Sequence, residues 1–293
     1  MQTKKSIVVI KVNHNSHWVG DGFPVQNVFG YHDLAEQMDP FLMLDYAGPY
    51  AFSPTQTPRG VGPHPHRGFE TVTLMYSGEV THRDSAGGGG SIGPGDVQWM
   101  TAGAGVIHEE MHSDAFSRVG GRFEAIQLWV NLPAHLKMTA PRYQDISASR
   151  IPHVSLPDGA GEVRVIAGEY QGIKGPAHTF TALDLWEVRA RAGSRVRIVQ
   201  AAERPAALFL IRGEISIDGN RELSGNPLII YSEAHPELEF MTEADACLLY
   251  ISGDPIRQSV VGYGPFVMNT SEEIRQAMDD YKAGRFGIIP VAS

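Results

Sequence analysis

The sequence predicts an all-β protein built from two related β-domains and carrying one helix near its C-terminus. Three features predict it. Apolar and polar residues alternate with period two in many short runs rich in Val, Ile and aromatic residues. Those runs are separated by Gly, Asn, Asp and Pro, and the chain of 293 residues holds 32 Gly and 19 Pro, a composition that favours many turns. Finally, the segment MYSGEVTHRDSAGGGGSIGPGDVQWM (75–100) is echoed by LIRGEISIDGNRELSGNPLIIY (210–231). Each reads strand, Gly-Glu, strand, Gly-rich turn, strand, which points to an internal duplication.

Taken in order, the first strand is SIVVIKV (6–12), followed by FETVTLMYSG (69–78), DVQWMTAG (96–103) and FEAIQLWVNLP (123–133). The glycine-rich stretches AGGGGSIGPG (86–95) and TAGAG (101–105) read as turns beside these strands. Pro133 and Pro141 interrupt regular structure in LPAHLKMTAPRYQDI (132–146), so domains are expected at 1–135 and 149–293 with a linker at 136–148. The second domain offers EVRVIAG (162–168), FTALDLWEVRA (180–190), SRVRIVQA (194–201), ALFLIRGEISIDG (207–219), PLIIYS (227–232) and CLLYISG (247–253). A helix is expected over 270–284: Thr270 and Glu273 form a capping box, Ile274, Ala277, Met278 and Tyr281 share a face, and Gly284 stops it.

Charge and composition narrow the function. Twenty-four basic against 33 acidic residues give a net charge of −9, without the basic patch that a nucleic-acid backbone requires. Direct nucleic-acid binding is therefore not expected. Cys247, the single cysteine, lies in an apolar run and reads as a small core residue. The N-terminal apolar run is too short for a signal-peptide core and no run is long enough to cross a bilayer, so a cytoplasmic location off the membrane is expected.

Five of the twelve histidines fall between residues 64 and 112. In HPHRGFE, Pro65 opposes a helix; on a strand His64, His66 and Glu70 share a face, and two imidazoles so placed can hold one metal ion. Two solvated histidines in a surface turn are the alternative. HEEMH (108–112) matches the His-Glu-x-x-His pattern of zinc proteases, which needs a helix with Glu109 as base and His112 as ligand. The preceding TAGAGVI supplies no N-cap and carries a β-branched pair, so a strand fits better and pairs His108 with Glu110 on one face. Three imidazoles and a carboxylate converging in a β-barrel suit Fe(II), Mn, Co, Ni or Cu, with Zn as a further option. His82, in THRDS, is expected at the surface.

GPHPHRGFETVT (62–73), GDVQWMTAGAGVIHEEM (95–111), LWVNLPAHLKMTAPRYQ (128–144) and FVMNTSEEIRQAMDDYKAGRFG (266–287) resemble the pirin family, a branch of the bicupins. The resemblance implies two tandem cupin-type β-barrels with a metal in the first only. It places iron on His64, His66, His108 and Glu110. Cupins in general take their carboxylate from the position of Glu70, so Glu70 is expected to be an outer neighbour of the metal or an alternative ligand. His112 is expected to be a polar neighbour of the site.

Two activities follow from the resemblance. One is quercetin 2,3-dioxygenase chemistry on a flavonol and dioxygen, with carbon monoxide released and Glu110 as proton acceptor. The other is a regulatory role in which the iron's redox state governs binding to a protein partner, without catalysis. A metalloprotease is the third reading and the weakest.

Overall fold

The computed structural model describes residues 4–200, 204–217, 221–232 and 235–290; the ends of two expected strands, at 201 and at 218–219, lie outside them. The described residues form two compact units, each built mainly of antiparallel strands. One unit comprises residues 14–35, 40–148 and 256–293, the other 1–13, 36–39 and 149–255. Each contains one seven-stranded and one four-stranded sheet, the two-layered arrangement by which short amphipathic strands bury their apolar faces.

In the first unit the larger sheet runs Arg142–Ile146, Val97–Thr101, Phe69–Ser77, Gly121–Asn131, Phe41–Phe52, Phe23–Gly30 and Ser16–Val19. The smaller one runs Gly60–His66, Val106–His112, Val80–Asp84 and Gly89–Ile92. Phe23, Phe52, Phe116 and Phe123 pack together at one end with Met75, Val80 and Ile92. Each such fully buried side chain contributes on the order of 1.5–3 kcal/mol. The other unit's core is filled by Trp186 stacked on Tyr250 at 4.4 Å, together with Val165, Ile198, Leu208, Leu210 and Phe240. Cys247 is buried, as its apolar surroundings predict. No helix among the described residues is long and apolar enough to cross a membrane.

Chain order misplaces three segments. Ile7–Lys11, expected in the first domain, pairs with Leu228–Tyr231, Lys11 opposite Leu228, and so extends the other unit's sheet. The capped helix Ser271–Lys282, expected in the second domain, belongs to the first unit. There Ile274 and Ala277 are buried with Phe266, Met268 and Phe286, and Asp280 meets Arg67 of the first unit at 2.8 Å. The expected linker is the third: Arg142–Ile146 is a strand paired along Val97–Thr101. Pro133 lies just after the strand Gly121–Asn131 and Pro141 just before Arg142–Ile146, so they bound regular structure without interrupting it.

Candidate metal centre

The sequence stretch HEEMH is a strand, which removes the metalloprotease reading. Val106–His112 is extended and paired on both sides, so His108 and His112 are not one helical turn apart. Its residues alternate: Val106, His108, Glu110 and His112 are buried on one face, and Ile107, Glu109 and Met111 are partly buried on the other. Glu109 accepts from Arg83 Nε at 2.7 Å on that second face. Arg83 is 42% exposed, so the pair is worth little and Glu109→Gln is expected to cost less than about 1 kcal/mol. Metal binding should be unchanged by it; equilibrium dialysis of the variant checks this, and lost metal would revive the protease pattern.

Beside this strand lies Gly60–His66, with His64 directly opposite His108 and His66 opposite Val106. It is an edge strand, where Pro63 and Pro65 are tolerated because no further strand needs their N–H groups. The register brings the rings of His64, His66 and His108 to centroid separations of 4.2–4.9 Å, and one ligand atom from each lies within 4.8 Å of the others.

The remaining ring nitrogens fix these imidazoles. His64 Nδ1 donates to the Gly62 carbonyl at 2.9 Å, and His66 Nδ1 to the Pro265 carbonyl at 3.3 Å. His108 Nδ1 meets His82 Nδ1 at 3.3 Å. For His64 and His66 the carbonyl contacts require the proton on Nδ1 and leave Nε2 with a free lone pair, the arrangement metal-binding histidines use. His108 Nε2 is buried without a hydrogen-bond partner, a costly state that an ion at the cluster would relieve. Burial, reinforced by neighbouring His64, pushes His66 down to about 3, and burial together with His66 and His64 holds His108 well below its ordinary value. Both rings therefore stay neutral near pH 7 and keep the lone pairs that a metal requires.

Glu110 is the carboxylate that a candidate group brings beside His108. Thr73 Oγ1 donates to its Oε1 at 3.1 Å and Gln127 Nε2 to its Oε2 at 3.0 Å, while Gln127 Oε1 accepts from Trp129 Nε1 at 3.2 Å. Thr73 and Gln127 are partners across adjacent strands, so the register of the large sheet aims both at Glu110. Glu110 also groups with His82 and His108 within metal-binding distance. A donor set of imidazoles and a carboxylate fits a divalent transition metal.

Three sequence expectations need correction. Glu70 is not beside the cluster. The strand carrying the two histidines ends at His66, and Gly68, at φ +90°, turns the chain before the next strand starts at Phe69. Alternation then puts Glu70 on the face opposite to Thr73, where Thr101 donates to it at 2.7 Å; burial pushes its carboxyl up to about 7. Nor is His112 a neighbour of the metal ligands in any hydrogen bond. Its ring lies 4.6–6.0 Å from Phe52, Phe123, Phe116 and Phe23, and its Nε2 meets the Gly22 carbonyl at 2.9 Å. His82, expected at the surface, is fully buried behind His108. The pattern V-T-H-R-D (80–84) contained the signal for it, since His82 shares the inward face with Val80 and Asp84.

A cavity of about 350 Å³ opens onto this cluster. His64, His66, Glu110, Thr73 and Gln127 form its polar side, and Val25, Met43, Val61, Ile126 and Trp129 its apolar one. It falls within the size range of small-molecule sites.

A β-barrel that gathers histidines and a carboxylate into candidate metal-binding groups beside a partly apolar cavity has the site expected of the cupin class. Residues 22–130 match the Pirin family model and residues 185–287 the Pirin C-terminal cupin domain. The chain belongs to the pirin family. It is 49% identical to a Pseudomonas aeruginosa protein named "Putative quercetin 2,3-dioxygenase", over 96% of this chain and 98% of that one. A pirin-like protein of Solanum lycopersicum is 37% identical, over 97% and 94% of the two chains. The crystal structure of a quercetin 2,3-dioxygenase from Acinetobacter baumannii superposes with a TM-score of 0.95 at 48% identity, covering 98% of this chain and all of that one. An Escherichia coli bacterial pirin, solved with nickel(II), shares the fold at a TM-score of 0.64 and 18% identity, covering 84% of this chain and 100% of that one.

Proposed function

We propose that this protein is a flavonol 2,3-dioxygenase of the pirin type, holding ferrous iron on His64, His66, His108 and Glu110. The observation that carries the reading is that His64, His66 and Glu110 line one cavity large enough for a small aromatic substrate, while His108 joins both candidate ligand groups, with His64 and His66 in one and with Glu110 in the other. The names borne by the P. aeruginosa and A. baumannii relatives support the same substrate class.

A bound divalent metal would supply Lewis acidity and a template for a flavonolate and dioxygen. The chain's own residues do the rest. Glu110, steadied by Thr73 and Gln127, accepts the proton of the flavonol 3-hydroxyl. Trp129, packed on Phe69 at 4.3 Å and on His66 at 5.3 Å, gives an aromatic wall for the flat substrate. Val25, Met43 and Ile126 exclude water that would compete for the metal. Asp45, also in the lining, accepts from Asn27 at 2.8 Å, and burial raises its carboxyl above the usual range, a suitable partner for a phenolic hydroxyl. Over the whole reaction, flavonol and one dioxygen give a ring-opened ester and one carbon monoxide.

The test is to load the protein anaerobically with Fe(II), add quercetin and oxygenated buffer, and follow oxygen uptake with carbon monoxide release. One carbon monoxide per dioxygen, absent in His108→Ala, is the expected result. Metal-loaded protein that consumes no oxygen would overturn it and leave the regulatory, protein-binding role as the reading to pursue.

A further inference from the structure

We infer that His82 and Asp84 form a relay behind the metal centre that sets the tautomer of His108 and strengthens it as a ligand. The inference rests on the metal-centre reading above. His64 and His66 are each held by a backbone carbonyl, but His108 is held by a second imidazole, and that imidazole by a carboxylate.

The protons along this chain are determined by its ends. Asp84 Oδ1 accepts from the backbone N–H groups of Ala86 and Gly88, both at 2.8 Å, contacts that favour the ionised carboxylate. Its Oδ2 lies 3.3 Å from His82 Nε2, so that nitrogen carries the proton and His82 Nδ1 keeps a lone pair. Two groups converge on that lone pair: the Gln98 side-chain amide at 3.0 Å and His108 Nδ1 at 3.3 Å. His108 therefore donates through Nδ1, and its buried, unpartnered Nε2 is left as the metal-binding atom. Tyr143 stacks on His82 at 5.1 Å and 18°, fixing the ring plane. His82 has its Nε2 on Asp84 and its Nδ1 facing Gln98 and His108, so in this relay His82 and Asp84 are positioning residues that act through His108.

Negative charge at Asp84 increases the pull of His82 on the His108 proton, and so increases electron donation from Nε2. Two ligands anchored on neutral carbonyls and one anchored on a charged relay make His108 the strongest imidazole donor of the three. Replacing Asp84 by asparagine keeps an oxygen for the two backbone N–H groups. It also presents an amide donor to His82 Nε2, which drives the proton to Nδ1 and forces His108 into the wrong tautomer. An Asp→Asn change behind a functional histidine acts in this way in the serine-protease triad.

The experiment uses the full chain and Co(II) as probe, with affinity read by chelator competition and the site by its visible spectrum. Asp84→Asn is expected to weaken Co(II) by about 10–100-fold and to raise the midpoint potential of bound iron. In a His82→Gln background, where the glutamine oxygen accepts from His108 whatever stands at 84, Asp84→Asn should change affinity by less than about twofold. An equal effect in both backgrounds, or none in either, overturns the relay. Should Asp84→Asn fail to fold, His82→Gln is compared with His82→Leu: the relay requires glutamine to retain the tighter binding, and equal affinities refute it. Binding lost in His108→Ala but unchanged in Asp84→Asn defeats this inference alone. Binding that survives His108→Ala defeats the metal-centre reading and the relay with it.

Discussion

His108→Ala is expected to abolish tight metal binding while leaving the barrel folded, and His112→Ala to do the reverse. The two histidines lie four residues apart on one face of one strand, yet their surroundings differ. His108 is buried with an unpartnered Nε2 among three other imidazoles, so removing it deletes a desolvated polar atom along with its packing. The loss of metal affinity should exceed the roughly 10–100-fold that an outer partner costs. His112 instead packs against four phenylalanine rings and bonds a carbonyl. Truncating it leaves a cavity in an aromatic cluster, a change that costs on the order of 2–5 kcal/mol. Metal content by dialysis and apo-protein unfolding by denaturant separate the two outcomes. Metal lost from His112→Ala with stability intact would contradict the assignment.

Glu110→Gln is expected to lower kcat by about 10²–10⁴-fold with metal still bound, the range for removing a positioned general base. Three imidazoles remain to hold the ion, and the new amide keeps one oxygen for Gln127 while Thr73 can turn its hydroxyl to accept. KM should change little, because the apolar wall is untouched. Metal content measured beside steady-state oxygen uptake decides this. Undiminished turnover at full metal occupancy would remove Glu110 from proton transfer, and loss of metal would make it chiefly a ligand.

The ligand candidates were legible because their signals are local. H-P-H and H-x-E each place two donors on one face of a strand, and period-two alternation needs only neighbouring residues to express itself. The same rule failed at Glu70 because Gly68 turns the chain between the two strands and resets the alternation. At His82 the rule holds, since Val80, His82 and Asp84 form one inward run. His112 shows a further limit: alternation places it inward correctly, but does not say whether metal ligands or phenylalanines await it there.

The sequence by itself determined the all-β class, the duplication, the capped helix and the residue types able to hold a metal. Each depends on periodicity, turn chemistry or a cap, which act over a few residues. Only the tertiary structure decided which strands meet. It moved Ile7–Lys11 into the sheet of the later unit and returned the helix Ser271–Lys282 to the earlier one. With that returning segment comes Pro265, whose carbonyl orients His66 across nearly two hundred residues of chain. It also turned the supposed linker into the strand whose Tyr143 clamps His82. Pairing between distant strands depends on complementary edges and buried faces, which no window of the chain contains.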